Sequence, residues 1–222
     1  MAIISISGYS GTGKDVVGKL IQYNMSRGSR IPIEELISDY KNHEWWLEEK
    51  SGWEIKKWAG KLKYIATVLT GIPTSKFEDQ EFKKTNLGPE WGMTVRDLLQ
   101  RLGTEAMRDG LHKNVWVNAL MADYKIHPEH FNDIANGRET GDGYPNWIIT
   151  DTRFPNEAQA IKDKGGMVIK VDRSGVGPVN GHPSEDALKD YNFDYVIHND
   201  GSINDLDKKV IEFINNFIFT PN

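Results

Sequence analysis

Gly8-Tyr9-Ser10-Gly11-Thr12-Gly13-Lys14-Asp15 stands directly after the apolar run Ile3-Ile4-Ser5-Ile6 and directly before Val16, Val17, Leu20, Ile21 and Met25, which recur at helical spacing. A G-x-x-x-x-G-K octet between strand and helix reads as a phosphate-binding loop. Its glycines let the main chain curl until several N–H groups face one anion. The next helix aims the positive end of its dipole at the same point, and Lys14 adds a full charge. Gly8, Ser10, Gly11, Thr12, Gly13, Lys14, Asp15 and Val16 are the expected contacts to the phosphates of ATP. The alternative is a glycine-rich turn that joins strand to helix and binds nothing. The residue after the lysine is usually Ser or Thr, whose hydroxyl ligates Mg²⁺, but here it is Asp15. A carboxylate is a hard oxygen donor that holds Mg²⁺ directly or through water, yet it repels phosphates unless the metal lies between them. Strict dependence on Mg²⁺ is therefore expected.

Outward from the loop, strand-like and helix-like patterns alternate at both ends of the chain. The helix after the loop is expected to end near Gly28, and residues 31–91 turn charged and tryptophan-rich. Trp58, Leu62, Ile65 and Leu69 keep helical periodicity there until Gly71-Ile72-Pro73 stops it, so this block reads as an α-helical excursion. Val95, Leu98, Leu99 and Leu102 predict a further helix, and Val115, Trp116, Ala119 and Leu120 another, both facing the core. Residues 125–146 lack periodicity and read as a long surface loop. Trp147-Ile148-Ile149-Thr150, a helix from Asn156 to Lys164, and Met167-Val168-Ile169-Lys170-Val171 then form a parallel crossover unit. Tyr195-Val196-Ile197 is one more strand, and Ile203, Leu206, Val210, Ile214 and Phe217 make a closing amphipathic helix. The expected fold is α/β, a parallel sheet flanked by helices with ligands at the carboxyl ends of its strands. It forms one domain over 1–222, with a core of 1–30 and 94–222 and a helical insertion at about 31–93.

Bulk properties narrow the function classes. The chain of 222 residues is long enough for one large domain with inserted subregions. A formal net charge of −5 argues against nucleic-acid binding through a basic face. Cysteine is absent, and the amino terminus has no charged n-region, long apolar run or small-residue cleavage site; both point to the cytoplasm. No apolar stretch approaches the roughly 20 residues that cross a bilayer, so no membrane partner is expected.

A second constellation is Asp151-Thr152-Arg153-Phe154-Pro155-Asn156-Glu157. In phosphate-loop proteins an acidic residue at the end of a neighbouring strand commonly orients the metal or its waters, and Asp151 stands there, a second Mg²⁺ candidate beside Asp15. Arg153, two residues on, would project over the same edge, where a planar guanidinium suits a phosphate by two-point hydrogen bonding. Alternatively Asp151 and Arg153 pair with each other, or one caps the next helix; Asn156, with Pro155 before it, is itself a good N-cap. Lys14, Asp151 and Arg153 are thus the catalytic candidates. A third cluster contains Arg101, Thr104, Glu105 and Arg108. On a continuous helix Arg101, Glu105 and Arg108 share one face, and the carboxylate could hold both guanidiniums to meet an acceptor phosphate. A solvated, salt-bridged surface is the competing reading, and Gly103 could mark a turn.

Taken in order, the 8–15 loop with its Lys-Asp ending, the Leu98–Glu105 block with Arg108, Asn114-Val115-Trp116-Val117, the 151–157 segment and Phe193-Asp194-Tyr195-Val196-Ile197-His198-Asn199-Asp200-Gly201 resemble the deoxynucleoside monophosphate kinases of tailed bacteriophages. The resemblance covers most of the chain, least at 28–91 and 125–146. It implies transfer of the γ-phosphoryl group of ATP to a deoxynucleoside 5′-monophosphate, on a nucleoside-monophosphate-kinase-like fold. It further implies that 31–91 with Arg101 and Arg108 forms the monophosphate side, that 172–190 is a lid-like cover with Arg173 near the ATP, and that the protein is a homodimer. Two other readings stay open: a kinase of another phosphorylated small molecule, such as phosphomevalonate, and a nucleotide-binding regulatory ATPase.

Other residues carry less. His127 and His130 have i, i+3 spacing but lie in a proline-containing loop without a metal-site framework. His182 falls beside Pro183-Ser184-Glu185, where a loop role outweighs a catalytic one. Trp45, Trp46, Trp53 and Trp58 read as buried anchors ahead of base-stacking platforms.

Overall fold

The computed structural model describes residues 2–26, 31–126, 143–178 and 187–218. The loop expected at 125–146 and the lid-like segment at 172–190 are therefore described only at their edges, and His127, His130 and His182 lie outside the described residues.

Five strands form one all-parallel sheet in the order β2-β3-β1-β4-β5. They are β1 (Ile3–Ser7), β2 (Trp53–Lys56), β3 (Asn146–Thr152), β4 (Met167–Asp172) and β5 (Tyr195–His198). β1, β3 and β4 are continuous apolar runs because helices cover both faces of a parallel sheet. On one face Ile4, Ile6 and Ile148 pack with Val17, Leu20 and Ile21 of α1 (Lys14–Met25) and with Leu206, Val210, Phe213 and Ile214 of the closing helix Ile203–Phe217. That helix is opened by Ser202, whose hydroxyl accepts from Asp205 N while the Asp205 carboxylate accepts from Ser202 N.

The chain divides into two compact units, Lys57–Tyr124 and the remainder. This corrects the boundaries expected from sequence. Residues 31–56 belong with the sheet: α2 (Ile33–Ser38) and α3 (Tyr40–Ser51) lead into β2, which pairs in register with β3 from Trp53↔Asn146 to Lys56↔Ile149. The buried Gln22 amide holds this edge, donating to Trp53 O at 2.7 Å and accepting from Tyr40 Oη at 2.6 Å. β2 escaped the sequence reading because four residues between a helix and Trp58 are too short to show alternation. Of the four tryptophans, Trp53 and Trp58 are buried, whereas Trp45 is 72% exposed and anchors nothing.

The Lys57–Tyr124 unit contains α4 (Gly60–Thr70), α5 (Val95–Gln100), a π-helix (Arg101–Asp109) and α6 (Val115–Met121). α5 and α6 thus line this unit's core instead of the sheet's. α4 stops where expected, with Gly71 in the left-handed region at φ 72°. Ala66, Phe77, Val95 and Leu98 are its buried centre. α7 (Pro155–Lys162) returns to the sheet unit and begins one residue earlier than expected: Phe154 occupies the cap position, Pro155 is the first helical residue, and Asn156 is no cap. Glu157 takes the capping duty, accepting from Arg153 N at 2.8 Å and Phe154 N at 3.1 Å.

Candidate active site

The sheet's connections reverse direction around β1, so the crevice beyond its carboxyl end is where a doubly wound sheet binds ligands. The 8–15 loop lies there, and a cleft at the same ends is lined by Ser7, Gly8, Tyr9, Thr152, Arg153 and Lys170, among others. Gly8 has φ 144°, and a β-carbon on it would come within 2.3 Å of Val171 O, so backbone meets backbone where a side chain has no room. Gly11 (φ 87°) and Gly13 (φ 97°) supply the positive φ angles that curl the loop. Val17 N donates to Gly13 O at 2.9 Å, starting the helix immediately behind the curl.

Three donors converge on one loop carbonyl. Tyr9 O accepts from Thr12 N at 3.4 Å, Thr12 Oγ1 at 3.0 Å and Lys14 Nζ at 2.7 Å. Lys14 is thereby held over the loop, where a phosphate oxygen would compete for it as a charge-assisted acceptor. A side chain that the sequence reading quoted only within the 193–201 segment, without a role, pins the loop from outside. Asn199, just beyond β5, donates its Nδ2 to Thr12 O at 2.8 Å, and a β-carbon on Gly13 would stand 2.5 Å from that nitrogen. Asn199 N in turn donates to Asp172 O at 2.7 Å, and Ser174 N to Asp200 Oδ1 at 2.7 Å. The Ser174 N–H and hydroxyl hold the Asp200 carboxyl below the usual carboxylate range. Arg173 sits exposed in the turn that this ladder fixes, closed by Val176 N donating to Arg173 O.

β3 carries an irregularity at the site. Ser5 pairs with Ile149 and Ser7 with Thr152, so Thr150 and Asp151 together oppose only Ile6. One extra residue re-aims the side chains at the strand's end, and bulges recur beside active sites for this reason. Thr150 turns toward α1, donating Oγ1 to Asp15 Oδ1 at 2.6 Å, while Thr152 turns to the other face and meets the Ser5 hydroxyl. Asp151 and Arg153 flank Thr152 half-buried, and Arg153 lines the cleft. Among the described residues no group of three or more potential metal-ligating side chains occurs. Mg²⁺ commonly takes one or two carboxylates together with substrate phosphates and water. The hard oxygens of Asp15, on the loop, and Asp151, on the adjacent strand end, fit that donor set.

The third cluster differs from expectation. Residues 101–109 are π-helical, and Gly110 N donates to Glu105 O at 3.0 Å in the i→i+5 pattern. The wider winding breaks the shared face that α-helical spacing would give Arg101, Glu105 and Arg108. Arg101 and Glu105 form no ion pair with each other and are exposed, whereas Thr104 and Arg108 are half-buried. Gly103 marks no turn: it is buried against Leu62, and its carbonyl accepts from Trp116 Nε1 at 2.8 Å. Sequence reasoning also missed a cationic cluster in this unit, because its members are scattered along the chain. Glu78 accepts from Lys63 at 2.5 Å and lies 3.6 Å from Lys57. Burial pushes the Glu78 carboxyl up, but Lys63, Lys57 and Lys83 outweigh it and hold it below its ordinary value. Burial, then the Lys63 charge, pushes Lys83 down.

Comparison with known proteins agrees with this geometry. A family model described as deoxynucleotide monophosphate kinase matches residues 61–210. A protein of Acanthamoeba polyphaga mimivirus, provisionally named a deoxynucleotide monophosphate kinase, is 30% identical over 180 residues, covering 77% of this chain and 88% of that protein. The deoxynucleotide monophosphate kinase of Enterobacteria phage T4 is 33% identical over 125 residues, which span 56% of this chain and 46% of the T4 protein. The deoxynucleoside-5′-monophosphate kinase of Escherichia phage T5 is 25% identical over 230 aligned positions, gaps included, which cover 84% of each chain. With a phosphate loop at the switch point of its sheet and this match over most of its length, the chain belongs to the deoxynucleotide monophosphate kinase family.

Proposed function

We propose that this chain transfers the γ-phosphoryl group of ATP to a deoxynucleoside 5′-monophosphate, giving the diphosphate and ADP. The observation that carries the reading is the curled 8–15 loop at the carboxyl end of β1, with Lys14 over it, in a member of this family. The bond from the γ-phosphorus to the β–γ bridging oxygen breaks, and a bond to an oxygen of the acceptor phosphate forms. That oxygen is already ionised at neutral pH, so the protein needs no general base, and its work is positioning and charge stabilisation.

Loop N–H groups and Lys14 hold the β- and γ-phosphates, and Arg153 offers its fork to the transferring group. Bound Mg²⁺ would supply positive charge against the charge that develops on the phosphates. Asp15 and Asp151 would hold it. Arg173 is assigned to the ATP side. Arg101, Thr104, Glu105 and Arg108 are assigned to the acceptor side, a reading supported by their all lying on one π-helix, an element rare in proteins and frequent at functional sites. Family membership favours a deoxynucleotide over a phosphomevalonate-like acceptor.

Coupled ADP release, measured across dAMP, dGMP, dCMP, dTMP and phosphomevalonate, tests the reading. Turnover that depends on at least one deoxynucleotide is expected. Slow hydrolysis indifferent to every acceptor, or turnover with phosphomevalonate alone, would overturn it.

A further inference from the structure

We infer that Thr150 is a positioning residue for the loop carboxylate, Asp15. The inference rests on the proposed function only in presuming that a nucleotide-bound Mg²⁺ meets Asp15. In the ordinary arrangement the loop supplies a Ser or Thr hydroxyl to the metal and the neighbouring strand supplies the acid. Here the strand end still carries an acid, Asp151, but the loop adds a second, Asp15, in the hydroxyl's place, and the strand's Thr150 donates to Asp15 Oδ1 at 2.6 Å.

Exposure separates the two roles. Thr150 is 1% exposed and belongs to the core, whereas Asp15 is exposed and can meet a hydrated ion. Two features of the fold place the threonine. The extra residue in β3 lets Thr150 and Thr152 face opposite sides of the sheet although they are two apart, and only the α1 side reaches Asp15. Gly18 on α1 opens the space, since a β-carbon there would stand 2.6 Å from Thr150 Cγ2. A carboxylate accepts at about four lone-pair sites, and the bond from Thr150 takes one of them and limits the rotation of the group. The buried hydroxyl thus does for Asp15 what a second-sphere partner does for a metal ligand.

The test is Mn²⁺ binding, followed by electron paramagnetic resonance in the complex with a non-hydrolysable ATP analogue. Thr150→Val is expected to weaken Mn²⁺ by about 10- to 100-fold while metal-free analogue affinity stays within about twofold, and Thr150→Ser to restore it. Thr150→Ala, which removes the same hydroxyl without adding bulk or charge, should weaken Mn²⁺ to a similar degree. It also serves as the deciding variant should Thr150→Val fail to fold. Parental Mn²⁺ affinity in Thr150→Val or Thr150→Ala, equal loss of metal and analogue binding, or no recovery in Thr150→Ser would overturn the inference. No acceptor enters this measurement, so its failure leaves the kinase reading standing, and failure of the acceptor panel leaves it intact.

Discussion

In the sheet unit Ile4, Ile6, Val17, Leu20, Ile21, Ile148, Val210 and Phe213 close into one apolar core, and hydrogen bonds from Asn199 and Thr150 tie the phosphate loop to it. In the helical unit the buried centre is Ala66, Phe77, Val95 and Leu98, and a lysine, Lys63, is buried beside it on Glu78. Fully burying one large aliphatic side chain contributes about 1.5–3 kcal/mol, so the first unit has the greater reserve for holding a loop in one shape. The second also buries Trp58, Trp116, Val117, Leu120 and Tyr124, with polar contacts among them such as Trp116 Nε1 to Gly103 O and Lys63 to Glu78. The difference suits the proposed division, in which the sheet unit holds the polyphosphate of ATP and the helical unit serves the monophosphate.

The sharpest break in that comparison separates chemistry from stability within the sheet unit. Lys14→Ala removes a half-buried cation bonded to Tyr9 O, so kcat should fall by roughly 10²- to 10³-fold while the unfolding midpoint moves little. A parental rate in coupled ADP release would remove Lys14 from the mechanism. In the helical unit one polar contact should carry more. Trp116→Phe leaves the buried Gly103 carbonyl without its donor and should cost about 1–3 kcal/mol in urea unfolding. If the π-helix serves the acceptor, KM for the monophosphate rises and KM for ATP does not; an unchanged monophosphate KM would detach residues 101–109 from the acceptor side.

Asn199→Ala deletes one brace on the loop. An expected loss of about 1 kcal/mol, or several-fold in ATP affinity, should leave the acceptor KM alone, and equal effects on both would mean general loosening. Smallest is a pH effect in the helical unit. Glu78 binds its proton less readily folded than unfolded, so its contribution to stability is complete above its unfolded pKa and is lost as pH falls through the lower folded value. Glu78→Gln should therefore flatten the fall of the urea midpoint in that acid window. A slope equal to the parent's would show that other carboxylates govern it.

Much of the site could be read in one dimension. The loop, β1, α1, β3, β4, β5 and the closing helix arise from contiguous patterns, because curl, dipole and apolar period are properties of neighbouring residues. β2 was too short to announce itself, and the helical unit began at 57 instead of 31 because Gln22 and β3, far away in sequence, hold residues 53–56 in the sheet. The π-helix was invisible for a similar reason. Its residues suit an α-helix, and it occurs where Gly103 is packed against Leu62 and its carbonyl is bonded to Trp116.

The amino-acid order by itself determined the phosphate loop, its unusual Asp15 and the parallel sheet beneath them, since each depends on residues a few positions apart. Only the tertiary structure decided that Thr150 meets Asp15, that Asn199 grips Thr12 and that Glu157 opens α7 in place of Asn156. The first two are contacts across 135 and 187 positions of chain, and the third turns on a one-residue shift of a helix start. Short-range pattern cannot carry such distances; the pairing register of the strands, including one extra residue in β3, sets which side chains come within a hydrogen bond of each other.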